Sequence, residues 1–366
     1  MDMNLIIKDR IRGSLIGGAV GDALGYPVEF MNEEQISKKY SSAGIENYEI
    51  DRSSGLAVIS DDTQMTLFTA NSLLFAMHRQ RNRGISGNPR HYALHAYLGW
   101  LHTQQFSYSK EKRIPDDWRG LASYLLQDVP ELYVRRAPGS TCLDALKCRK
   151  EKTNNNIHIS DYIADKINNS KGCGGVMRVA PLGLSVRFWE MDRLDIEGAQ
   201  LAAITHSHPL GYMPAAALTH ILNRLVYSEG KSDLKAIIVE AKSFTNNLFA
   251  ENPYVSELTS IIDKAIVLSE NNDSDIANIS KLGEGWVAEE ALAISLYCSL
   301  KYKDDFSNAV IASVNHKGDS DSTGAITGNI MGALLGYEKI DKKWISSLEL
   351  HDLIFQIADN LYNDFS

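Results

Sequence analysis

The chain has 366 residues, 44% hydrophobic and 23% charged, which is the balance of an ordinary globular protein. A net charge of −9 with no dense Lys/Arg stripe excludes a general nucleic-acid binder. No uncharged apolar run reaches membrane-spanning length, no signal peptide is evident, and the four cysteines (Cys142, Cys148, Cys173, Cys298) form no Cys-x-x-Cys pair, so a cytoplasmic chain with reduced thiols and no membrane partner is expected.

Residues 1–10 read as an N-terminal tail. Apolar residues then recur at helical spacing over Ile11–Leu24, where Gly13, Gly17, Gly21 and Gly25 fall every fourth position. Each interior glycine costs roughly 1 kcal/mol against alanine. A second stripe, Gly324, Gly328, Gly332 and Gly336, predicts that two helices from opposite ends of the chain pack backbone to backbone. Asp22 lies within the first stripe, placed to steer ligands by hydrogen bonds or to be satisfied locally, and Glu29 follows it. Next comes Ser60-Asp61-Asp62-Thr63, opening a helix over Thr63–Met77.

The basic stretch Met77–Arg90 reads as a solvated loop. Residues 79–136 read as an insertion-like segment over the core, with a helix over Tyr92–Leu101. Tyr92, Tyr97, Trp100 and Phe106 are assigned to the core, and His91 and His95 to a surface or half-buried pair. Loops are expected at Gly84–Pro89, Pro115–Asp117, Pro138–Ser140, Lys150–His158 and Asn271–Asp275. Gly172-Cys173-Gly174-Gly175 makes a glycine-rich turn, which can hold phosphate on backbone N–H groups but is no Walker loop. Helices follow at Ile196–Ile204, Pro214–Tyr227, Ala288–Leu300, Ala325–Leu335 and Leu348–Leu361, with Thr205-His206-Ser207-His208-Pro209 shaping a helix start. Period-two alternation is nearly absent. The expectation is an all-α protein, one helical-bundle domain over residues 1–366.

The second acidic cluster, Asp319-Ser320-Asp321-Ser322, also precedes a helix. Ser and Asp serve as helix caps, but a cap needs one oxygen and each cluster offers three or more. Four carboxylates meeting at one point repel each other unless a hard cation neutralises them, and oxygen-only ligands favour magnesium, calcium or manganese over zinc or copper.

Five motifs in this order resemble the ADP-ribosylglycohydrolase family: Gly21-Asp22-Ala23-Leu24-Gly25, Ser60-Asp61-Asp62-Thr63-Gln64-Met65, Gly172 to Pro181, Thr205 to Pro209, and Gly318 to Ser322. The resemblance implies an orthogonal all-α bundle and a centre of two Mg²⁺ or Mn²⁺ ions in an ADP-ribose cleft. By motif, Ser60, Asp61, Asp62, Asp319, Asp321 and Ser322 would hold the metals, with Asp321 touching both. Glu29, Asp61 and Asp321 would carry catalysis. Gly174, Gly175 and Val176 would face the diphosphate, with Met177 and Arg178 beneath them. Some arginine-specific relatives carry an Asp where this chain has Arg136-Ala137-Pro138-Gly139-Ser140-Thr141.

The implied function is hydrolysis of ADP-ribose from modified protein side chains, arginine above all. It would reverse a transferase, either the cell's own or a bacterial toxin. Two other readings are a binding protein that blocks a transferase by contact, and a metal-dependent phosphohydrolase. The lack of a strand before either cluster argues against the second.

Overall fold

The computed structural model describes residues 3–114, 125–187, 189–229 and 232–365. The loop expected at Pro115–Asp117 lies outside them, as do Met1 and Asp2. Among the described residues there is no strand, only two isolated bridges, Ala57 with Leu348 and Gly172 with Val287. The helices are α1 (Met3–Gly25), α2 (Glu33–Lys39), α3 (Asp61–Arg83), α4 (Pro89–Gln105), α5 (Ser140–Asn154), α6 (Ala180–Ser185), α7 (Met191–Ala203) and α8 (Pro209–Tyr227). They continue with α9 (Leu234–Leu248), α10 (Val255–Ser269), α11 (Asp275–Leu282), α12 (Ala288–Lys301), α13 (Phe306–Val314), α14 (Ser320–Leu335), α15 (Lys342–Ile345) and α16 (His351–Phe365).

The two glycine stripes meet. α1 and α14 run antiparallel in the most extensive helix pair described. A Cβ at Gly13, Gly17, Gly21 or Gly25 would overlap the backbone of Gly332, Gly328, Gly324 or Ser320 respectively. Only bare backbone permits that approach, so the gain in contact offsets the helix-propensity cost of each glycine. Ser14 and Asn329 bolt the pair further: Ser14 Oγ donates to Asn329 O (3.0 Å) and Asn329 Nδ2 to Ser14 O (2.8 Å). This pairing sets the start of α14 against the end of α1, and with it the second acidic cluster beside Glu29.

Around this axis, α3, α13 and α16 pack on α1 or α14, while α7, α8, α10 and α12 extend one continuous apolar core. α3 starts at Ser60, whose hydroxyl accepts from Asp62 N (3.2 Å), and ends at Gly84 in the left-handed region (φ 64°). α8 starts at His208, whose ring accepts from Leu210 N (3.1 Å), with Pro209 at the first helical position.

Several expectations need correction. From Met3 onward the supposed tail is the opening of α1. The loop at Lys150–His158 is helical through Asn154, because α5 carries its polar residues on an exposed face. Within the segment 79–136, α4 is core: Tyr92, Tyr97 and Trp100 are buried. Phe106 is exposed instead, its ring against His102 at 4.6 Å. His91 Nε2 bonds to Ile159 O (3.1 Å), on the outer side of α4.

Candidate active site

The first turns of α3 and α14 converge. Ser322 Oγ donates to the Asp62 carboxylate at 2.8 Å across 260 residues of chain. Glu29, Asp61, Asp62, Asp319 and Asp321 line one cavity of about 260 Å³, together with Ser322. Glu29, Asp319 and Asp321 each bring a carboxylate oxygen within 4.8 Å of the others, all three buried. Among the described residues no Lys or Arg lines the cavity.

The helix starts are held from behind. Asp22, fully buried in α1, accepts from Ser60 N (3.0 Å), Thr63 N (3.1 Å) and the Thr63 hydroxyl. It therefore ties the first turn of α3 to the glycine axis. Asp61 N donates to Arg136 O (3.2 Å), and Arg136 forks onto Glu349 (2.8 and 2.9 Å) and reaches Ile59 O (2.8 Å). On the other cluster, Asp319 caps α14 through Ser322 N (3.3 Å) and donates its own N–H to Glu284 O (2.8 Å). Gly318 makes that approach possible: its φ is 130° and a Cβ there would overlap Glu284 O.

Five buried carboxylates without a counter-cation are costly to ionise together. Burial, then Asp319, Asp61 and Asp22, pushes the Glu29 carboxyl up to about 9. Burial also raises Asp22 to about 6, against the hydrogen bonds that lower it. Asp61, Asp62 and Asp321 lie well above the usual carboxylate range for the same reason, burial first and neighbouring carboxylates next. Glu29 Oε2 is buried with no hydrogen-bond partner. An orphaned oxygen facing two carboxylates in an all-oxygen cluster fits a hard divalent cation.

Each expected site residue has a clear place. Asp61, Asp62, Asp319, Asp321, Ser322 and Glu29 are brought together. Glu29 lies close enough to Asp319 and Asp321 to share a cation with them, beyond the role first assigned to it. Ser60 is fully buried, does not line the cavity, and spends its hydroxyl on the α3 cap. Gly174 lines the cavity, whereas Gly175 and Val176 are buried behind it. A Cβ at Gly175 would press on Ala202 and Gly211. Met177 also lines the cavity. Arg178 lies beneath, fully buried, over the Tyr97 ring (4.3 Å) and donating to Thr205 Oγ1 (2.7 Å).

Other residues complete the wall. Cys173 Sγ lies 2.7 Å from the Asp319 carboxylate. His206 backs the glycine turn, with burial and Arg178 lowering its pKa to about 3. Ala137, Gly139, Ser140 and Thr141 form the wall beside Asp61, with Ala137 at a φ of 51°. At the mouth, Trp286 stacks on Phe30, ring centroids 5.8 Å apart and planes 22° apart. The motif Thr205–Pro209 flagged His206; no pattern in the sequence singles out Trp286.

The ADP-ribosylglycohydrolase family model matches residues 3–366. The chain belongs to the ADP-ribosylglycohydrolase family. It is 24% identical over 362 residues to the ADP-ribosyl-[dinitrogen reductase] glycohydrolase of Rhodospirillum rubrum, covering 94% of this chain and 92% of that one. It is 25% identical over 221 residues to human ADP-ribosylhydrolase ARH3, covering 54% and 59%. A 59-residue stretch, 16% of each chain, is 39% identical to the ADP-ribosylarginine hydrolase Tri1 of Serratia proteamaculans. A solved structure described as an ADP-ribosylglycohydrolase-related protein complex superposes with a TM-score of 0.63 at 22% identity, covering 98% of this chain and 99% of that one. The fold is that of the family. Among the described residues no helix is long and apolar enough to cross a membrane.

Proposed function

We propose that this glycohydrolase removes ADP-ribose from N-linked ADP-ribosyl-arginine on proteins, with a pair of Mg²⁺ or Mn²⁺ ions in the carboxylate cavity. The observation that carries the reading is the buried cluster of Glu29, Asp61, Asp62, Asp319 and Asp321 opposite a glycine turn, in a chain matched by the family model almost throughout. Asp61, Asp62, Asp319, Asp321 and Ser322 would hold the ions, with Glu29 beside them. Bound there, divalent cations neutralise the cluster, grip sugar hydroxyls and acidify water.

The reaction breaks the bond between ribose C1 and the guanidine nitrogen. Water oxygen adds to C1, one water proton goes to the departing nitrogen, and the products are ADP-ribose and arginine. The Glu29 carboxylate, which lines the cavity, would take that proton and pass it to the nitrogen. Asp22 holds the first turn of α3 so that Asp61 and Asp62 keep their aim. Cys173 and Ser322 orient Asp319 and Asp62 by hydrogen bonds. The cavity is smaller than an ordinary ligand pocket of roughly 300–1,000 Å³, so it takes the ribose and leaves the acceptor and the adenosine at its mouth.

The arginine assignment draws on the Tri1-like stretch and on a cavity wall that, among the described residues, carries no Lys or Arg. A cellular role in undoing a transferase or an attacking toxin follows from that chemistry. The test is mass spectrometry of one arginine-modified and one serine-modified protein after treatment with the enzyme, with and without Mg²⁺ or Mn²⁺. Cation-dependent loss of the arginine adduct supports the reading; clearance of the serine adduct alone refutes it.

A further inference from the structure

Two large aromatic side chains stand at the mouth of the cavity in water: Phe30 is 73% exposed and Trp286 38% exposed. Trp286 lines the cavity, and Phe30, the residue after Glu29, stacks on it. Trp286 is the fixed member. Its carbonyl accepts from Cys173 N (3.2 Å), and two residues earlier the Glu284 carbonyl accepts from Asp319 N (2.8 Å). Gly285, at a φ of 83°, gives the turn that presents the ring. Phe30 is the loosely held member, touching little beyond Trp286 among aromatic rings.

The position of Phe30 decides what the pair meets. It is the residue after Glu29, so its Cα is about 3.8 Å from that of a residue whose carboxylate reaches the centre of the cluster. In the reaction proposed above Glu29 acts at the bond that breaks, and Phe30 follows it and stacks on Trp286 of the cavity wall. On the far side of that bond from the diphosphate lies the acceptor. Among the described residues the cavity wall carries no Lys or Arg, and Lys171 and Lys317 on the other side of Trp286 are paired with Glu289 and Glu284. A guanidinium is planar and weakly hydrated, and it stacks on aromatic faces, tryptophan best. A serine linkage offers neither plane nor charge.

We infer that Trp286, with Phe30 as its movable cover, is the acceptor platform that receives the guanidinium of the modified arginine and thereby selects it over hydroxyl-linked acceptors. This rests on the arginine reading above. A plane between two rings needs about 7 Å, twice the contact distance of about 3.5 Å. At 5.8 Å the pair is shut, and Phe30 must swing off Trp286 to admit the acceptor.

The experiment uses the full chain with Mn²⁺ and three variants, Trp286→Leu, Trp286→Phe and Phe30→Ala. Kinetics are measured on an ADP-ribosyl-arginine peptide and an ADP-ribosyl-serine peptide, and free ADP-ribose binding by calorimetry. Trp286→Leu is expected to raise KM for the arginine peptide about tenfold, and Phe30→Ala about threefold, the scale of a partly desolvated cation–π contact. Trp286→Phe should rescue most of the loss, and ADP-ribose affinity should not change. Phe30 is exposed, so its variant folds whatever befalls the Trp286 changes. Unchanged KM in Trp286→Leu and Phe30→Ala overturns the inference, as does an equal fall in ADP-ribose affinity, which would make the rings a nucleotide platform. A wild-type enzyme inactive on the arginine peptide refutes the arginine reading itself and the inference with it. An active wild type with indifferent variants refutes only the inference.

Discussion

Ser322 donates its hydroxyl to the carboxylate of Asp62 at 2.8 Å, and that bond joins the first turns of two helices whose sequences lie 260 residues apart. It is made where both side chains are buried and where four further carboxylates face the same space. The site is thus assembled from two helix N-termini, each keeping one oxygen for its cap and turning the others inward.

Removing a charge from this cluster has two opposite effects. Asp321→Asn is expected to raise the melting temperature of the cation-free protein by a few degrees, since burial, Asp62, Asp319 and Glu29 all oppose ionisation there. Mn²⁺ is expected to stabilise the wild type, by about 2.7 kcal/mol at a hundred times Kd, and not the variant. Thermal melts with and without Mn²⁺ read both. A variant that melts lower without the ion and gains normally with it would remove Asp321 from the cation site.

Glu29→Gln keeps the shape and removes the proton acceptor. Turnover should fall by roughly 10²-fold or more, within the range of general acid–base contributions. Binding of free ADP-ribose, measured by calorimetry, should stay close to wild type. Full turnover in the variant would take Glu29 out of the chemistry.

Gly21→Ala separates helix propensity from packing. Propensity alone predicts a gain of roughly 1 kcal/mol. The new Cβ, however, would overlap the Gly324 carbonyl, and backbone has no rotamer to yield. A net loss of about 1–3 kcal/mol or more is expected, read from urea unfolding midpoints. Stabilisation by the alanine would mean that α1 and α14 do not meet backbone to backbone.

His206 gives a pH dependence. Its folded pKa is depressed to about 3 by burial and by Arg178, so between about 3 and 6.5 the unfolded chain holds a proton the folded one does not. Stability from this group is full above about pH 6.5 and falls as pH drops, by roughly 1 kcal/mol per unit. In urea unfolding at pH 7.5, 6.0 and 5.0, the wild type should lose ground relative to His206→Gln as the pH decreases. A constant difference between the two proteins would show that His206 is not buried neutral.

Much of this could be read from the chain itself. Glycines at every fourth position cost stability in an isolated helix, so two such stripes announce a close helix pair, and α1 and α14 are that pair. Oxygen-rich clusters at two helix starts exceed what capping needs, and five of the six expected metal residues line one cavity. Ser60 is ambiguous for a local reason: the same hydroxyl can serve a cap or a ligand, and in the fold it accepts from Asp62 N. Helices α9 and α10 escaped although each carries a clear apolar stripe, Leu234, Ile237, Ile238 and Ala241 in one and Leu258, Ile262, Ala265 and Ile266 in the other, and α5 escaped because a polar exposed turn reads like a loop.

The sequence by itself determined the helical class, the close pairing of the two glycine-striped helices and the carboxylates near them, because periodicity and composition are local and survive without knowing neighbours. Only the tertiary structure decided that Glu29 sits within reach of Asp319 and Asp321, that Gly174 faces the cavity while Gly175 and Val176 turn away, and that Trp286 meets Phe30 at its mouth. Those relations depend on where loops return after long excursions. Loop closure costs free energy that grows only slowly with length, so spacing along the chain carries almost no record of which distant residues finally meet.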